Sequence, residues 1–122
     1  MSSDPPSEKS NYIYLKPEEI QKFRTNADED LYKIKEFFSD YFHGTIDFSD
    51  EIFSFFCELF ATTITLKNFL DKVFIFPEEE PAGKDVAFKV GSQHILILGK
   101  TLLYLKETKK QLALSGFSMQ NQ

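Results

Sequence analysis

A reactive thiol needs a cation or a helix N-terminus beside it before the thiolate forms. The single cysteine, Cys57, stands between Phe56 and Glu58 in an apolar run, far along the chain from both histidines, His43 and His94. It reads as a buried structural residue. One cysteine and two distant histidines match no metal-ligand spacing, so no metal or other cofactor is expected. Gly99-Lys100-Thr101 matches the end of a phosphate-binding loop. That loop also needs a glycine five residues earlier, and His94 stands there, so the tripeptide reads as a plain turn. Asp47, Asp50, Glu51 and Glu58 have the types needed for paired acid–base work, but their spacing suits helix capping and a solvated face. The five tyrosines, Tyr12, Tyr14, Tyr32, Tyr41 and Tyr104, form no motif. The expectation is a non-catalytic chain.

Binding chemistry is better represented. Ile52, Phe53, Phe55, Phe56, Leu59 and Phe60 cover most of the circumference of a helix, leaving Glu51, Ser54 and Glu58 as a narrow polar stripe. A helix apolar on most sides must be enclosed by its own domain or by a partner. Aromatic residues are favoured in interface cores, which nominates Phe53, Phe56 and Phe60 as a protein-docking surface. A second candidate is the basic set Lys89, Lys100, Lys106, Lys109 and Lys110, beside Phe88, Tyr104 and Phe117. On a sheet, such residues can pair phosphates and stack bases of a single-stranded nucleic acid. No arginine follows Arg24, which counts against it, because arginine is the preferred contact residue. A third possibility is an apolar ligand held between Phe-lined helices and a sheet.

The elements that would position these residues follow from the apolar pattern. Eleven of the fourteen phenylalanines lie between Phe37 and Phe76. Pro17-Glu18-Glu19 opens a first helix, since proline loses no bond there and acids face the positive end of the dipole. It is expected to end near Thr25-Asn26. Asp28-Glu29-Asp30 opens a second helix, with Leu31, Ile34, Phe38, Tyr41 and Phe42 at spacings of three and four and Gly44 as its stop. Ser49 caps a third helix, with Phe48 able to staple onto Phe53. A fourth runs from about Thr65 to Lys72. Val73 to Phe76 is strand-like. Tyr12 to Leu15 suits either an edge strand or a staple onto the first helix.

Beyond an acidic loop at 77–83, the residues Val86, Phe88 and Val90 alternate as in a strand. Gly91-Ser92 reads as a hairpin turn, His94 to Leu98 as a central strand, Gly99-Lys100 as a second turn and Thr101 to Lys106 as a third strand. Gln111 to Phe117 suits a fourth strand or a short helix. The expected fold is therefore α+β, with three to four N-terminal helices packed on a C-terminal antiparallel β-meander of three to four strands. The helical part would span 17–73 and the β part 85–117, within one domain at 12–117. Tails at 1–11 and 118–122 would be disordered, with Met119 frayed.

The net charge of −5 divides unevenly. Residues 1–83 carry −9 and residues 84–122 carry +4, a polarity able to orient partners. No run is long and apolar enough to span a membrane, and one cysteine allows no intramolecular disulfide. These features point to an intracellular protein, cytoplasmic or nuclear. The functional expectation is a protein–protein interaction module or small subunit of a complex binding through Phe/Leu-rich surface. Nucleic-acid binding by the lysine-rich β half, or carriage of an apolar ligand, are the alternatives.

Overall fold

Among the described residues, three long helices and a two-stranded ribbon stand in place of the expected four short helices and meander. The computed structural model describes residues 12–74 and 88–119. In order these form strand β1 (Tyr12–Leu15), helix α1 (Pro17–Phe42), helix α2 (Asp50–Val73), strand β2 (Phe88–Gly91) and helix α3 (Ser92–Leu114). The sheet is a two-stranded antiparallel ribbon, with Tyr12 opposite Gly91 and Leu15 opposite Phe88. Tyr12–Leu15 thus takes the first of its two expected roles. The expected strand at 73–76 and the acidic loop at 77–83 fall mostly outside the described residues; Val73 ends α2 and Phe74 caps it.

Helix α1 starts where the sequence places it. Pro17 is in the first turn, and the Lys16 N–H donates to the Glu19 carboxylate at 3.0 Å. The helix does not stop at Thr25-Asn26 but runs 26 residues to Phe42. Its inward positions are Ile20, Ala27, Asp30 and Ile34, continued by the half-buried Phe37, Phe38 and Tyr41. The spacing of three, four and seven persists throughout, but a carboxylate occupies one of the inward places. Gly44 ends the helix as expected. At φ +80° it adopts the left-handed conformation, letting its N–H reach the Tyr41 carbonyl and the Thr45 N–H reach Asp40, which satisfies the orphan carbonyls.

Helix α2 begins at Asp50, where the Ser49 hydroxyl accepts from the Ile52 N–H at 3.1 Å. The third and fourth expected helices are one element of 24 residues. Thr63, at its middle, is buried, and its hydroxyl donates to the Leu59 carbonyl at 2.6 Å. At the far end the Arg24 guanidinium, reaching across from α1, donates to the carbonyls of Leu70 (3.2 Å) and Phe74 (2.7 Å), with Asp71 3.2 Å away. A cation on the last carbonyls complements the negative end of the helix dipole.

The expected meander is overturned by α3. Only Phe88–Gly91 is a strand; Gly91 caps the helix that follows, and Gly99-Lys100 lies inside it. A short apolar run such as His94 to Leu98 is compatible with strand or helix by periodicity alone. Here the pattern that decides is longer. Leu98, Leu105, Lys109 and Leu112 are buried at helical spacings of seven, four and three. Gly116, at φ +95°, closes the helix as Gly44 closes α1. The Phe117 N–H bonds to the Leu112 carbonyl at 2.8 Å and Gly116 to Ala113 at 3.0 Å. The chain does not fray there, because Met119 is fully buried.

The helices run up, down and up, as the contacts show. Arg24 meets the end of α2, and Phe38 meets Phe53 and Phe56 near its start. Phe69 packs edge-on against His94, and Tyr104 bonds to Glu58. Helix α2 therefore packs against both α1 and α3. One end of the bundle is an aromatic cluster in which Phe48 stacks on Tyr41 (4.6 Å) and Phe56 (4.9 Å), and Phe117 stands edge-on to Phe37, Phe48 and Phe56. The other end carries the ribbon, with Phe74 edge-on to Phe88.

Candidate functional site

The structure places the nominated residues differently from their sequence reading. Phe56 is fully enclosed by the aromatic cluster, so its surface belongs to the core. Phe53 and Phe60 are half-buried and packed against that core. Because α2 has neighbours on two sides, its near-complete apolar circumference is mostly satisfied within the domain. Cys57, in contrast, is exposed. It projects from the face of α2 that carries Ser54, Glu58 and Ala61, all exposed.

The basic set is split. Lys89 is exposed on β2 with its ammonium 4.3 Å from the centre of the Tyr12 ring, a favourable cation–π geometry. Lys100, Lys106 and Lys110 are exposed along α3. Lys109 points inward, its ammonium 2.6 Å from the Asp30 carboxylate, with 10% and 4% of the two side chains exposed. The lysine-bearing sheet on which base stacking was premised does not form, since four of the five lysines lie on a helix.

Among the described residues, two apolar features bear on binding. The first is a cleft of about 220 Å³ between the helices, walled by Phe23, Ala27, Leu66, Leu102 and Leu105, with the Asp30–Lys109 pair at its edge. Ligand sites for small molecules run from about 300 Å³ upward, so this one is undersized for a lipid. The second is the outer face of α3. Leu96 and Leu103 stand two positions before Leu98 and Leu105, which at 3.6 residues per turn puts them nearly opposite around the helix. They are 58% and 59% exposed, and Leu114 on the same side is 73% exposed. Ile97 and Tyr104 widen the stripe. The Tyr104 hydroxyl donates to the Glu58 carboxylate at 2.6 Å, and this bond holds its pKa above the ordinary tyrosine value of 10.0. The ring is thereby tethered flat along the α2 side of the stripe.

No family model matches this chain, nor does any curated protein or solved structure. The surface has to be judged on its own chemistry. Among the described residues, no group of histidine, cysteine and carboxylate side chains can hold a metal ion, and no helix is long and apolar enough to cross a membrane. Scattered exposed leucines are ordinary; Leu96, Leu103 and Leu114 differ in sharing one side of α3, with Lys100, Glu107 and Lys110 exposed between them.

The sequence reading missed this stripe by assigning its residues to strands. The signal was present: Leu96 and Leu103 are seven apart, with Lys100 between them and Glu107 seven beyond Lys100, as on one face of a helix.

Proposed function

We propose that the chain is a non-catalytic protein–protein interaction module, a small subunit or adaptor, that docks through the outer face of α3. The observation that carries this reading is a helix apolar on both sides and covered on one. Leu98, Leu105 and Leu112 fill the core while Leu96, Leu103 and Leu114 face outward. A helix with apolar residues all round is normally enclosed. The contact surface therefore moves from Phe53, Phe56 and Phe60 to Leu96, Ile97, Leu103 and Tyr104. An exposed free thiol at Cys57 suits a reducing interior, in keeping with an intracellular subunit.

The test is hydrophobic-dye binding to the folded chain. At concentrations where the chain is monomeric it is expected to enhance dye fluorescence, and Leu96→Ser with Leu103→Ser to remove most of that signal while leaving helix content and unfolding midpoint unchanged. A monomeric chain that binds no dye, or whose dye signal survives both substitutions, rules the reading out.

A further inference from the structure

We infer that the occupant of the outer α3 face is a second copy of the chain, its α3 packed antiparallel against the first about a two-fold axis between Leu103 and Tyr104. This rests on the reading of that face as a docking surface. The charges on the stripe support it. Lys100 and Glu107 are both exposed and lie along the midline of the face, between Leu96 and Leu103 and between Leu103 and Leu114. Neither joins an ion pair among the described residues. They are seven residues apart, roughly 10 Å along the helix, too far to meet each other. In an antiparallel pair with this axis, Lys100 of each copy lies against Glu107 of the other, and Leu103 of each against Tyr104 of the other. A parallel pair would set Lys100 on Lys100 and Glu107 on Glu107, which is repulsive. Lys100 and Glu107 are thus complementary across the pair in one orientation, as a two-fold interface requires; Lys110, exposed on the same face, meets Ile97 and no acid in that pairing.

Gly99 lies at the edge of the same face. It sits within α3, where glycine costs about 0.5–1 kcal/mol relative to alanine. Nothing in the domain comes within 4 Å of the place its Cβ would take, so internal packing does not demand it. It lies beside Leu96 and Leu103 on the exposed side. The exposed ion pairs add little affinity; they fix orientation and register, while the leucines and Tyr104 supply the buried area.

Sedimentation of the full chain across a range of concentrations tests this. The native protein is expected to show a monomer–dimer equilibrium. Lys100→Glu, which opposes two carboxylates twice, is expected to raise the dimer dissociation constant about tenfold or more, with circular dichroism unchanged. Glu107→Lys alone should do the same, and Lys100→Glu with Glu107→Lys should restore dimerisation. Restoration by the exchange is the decisive outcome, because only a self-complementary antiparallel face produces it. A chain monomeric at the highest concentration, or a dimer indifferent to Lys100→Glu and Leu103→Glu, overturns the proposal. If the monomer still binds dye in a Leu103-dependent way, the docking face stands and only its occupant is wrong. If dye binding is absent too, both readings fall. Leu103-dependent retention on phosphatidylserine vesicles by a chain that does not dimerise would reassign the face to a lipid surface.

Discussion

Helices α2 and α3 both carry apolar residues around most of their circumference, and they end in opposite situations. Helix α2 lies against α1 on one side and α3 on the other, with Phe48 and Phe117 closing over Phe56. Its aromatic surplus becomes core. Helix α3 lies against α2 through Tyr104 and Glu58 and against α1 through Lys109 and Asp30, yet its second set of apolar residues faces out. The difference teaches that apolar surplus in a sequence nominates an interface only after the position of its helix is known. Helix α3 leaves exposed the surplus that α2 buries.

Substitutions that treat the two helices alike should separate them sharply. Phe56→Ala removes a fully buried ring and is expected to lower unfolding free energy by about 3–5 kcal/mol, measured by urea denaturation. Leu103→Ser, the corresponding change on the outer stripe, should stay within about 0.5 kcal/mol. A large loss from Leu103→Ser in the monomer would mean that α3 has no outer face, and the comparison would collapse.

The Asp30–Lys109 pair gives an effect of similar size by another route. Removing one partner takes from the other buried charge the counter-ion 2.6 Å away, so Asp30→Ala or Lys109→Ala should each cost about 3–5 kcal/mol. Replacing both, with Asp30→Leu and Lys109→Met, should be near neutral or stabilising. Strict additivity of the single losses would show that the two groups do not interact.

A smaller effect belongs to the turns. Gly44→Ala forces a side chain into the left-handed region and should destabilise by about 1–2 kcal/mol, with Gly116→Ala similar; thermal melts of the pair would show it. The smallest effect concerns Tyr104. Its folded pKa lies above the unfolded value, so the bond to Glu58 contributes stability fully present below pH 10 and lost as pH rises through the folded value. Ultraviolet titration should show Tyr104 ionising late and Glu58→Gln bringing it back toward 10. No change on that substitution would remove the tether from the edge of the stripe.

Much of the fold was legible where local chemistry is decisive. Pro17 and Ser49 mark helix starts because proline and serine satisfy the first turn, and Gly44 marks a stop because few other residues adopt its φ. The misreadings followed local signals: Asp28-Glu29-Asp30 has the composition of a helix start but lies inside α1, and Gly91-Ser92 and Gly99-Lys100 have that of turns but open or lie within α3. Asp30 and Lys109 also interrupt the apolar period of their helices. The two exceptions explain one another only when the helices are side by side and the charges meet at 2.6 Å. The outer face was hidden in the same way, since apolar residues on both sides of α3 read as a doubly buried strand.

By itself, the sequence determined the helix starts at 17 and 50, the turn at Gly44, an aromatic-rich core and the lack of visible catalytic chemistry. Those depend on neighbours a few residues apart. Tertiary structure decided that residues 92–114 are helix, that Phe56 and Lys109 are interior, and that Leu96 and Leu103 are not. Burial depends on which elements are adjacent, and that is set by contacts between residues dozens of positions apart.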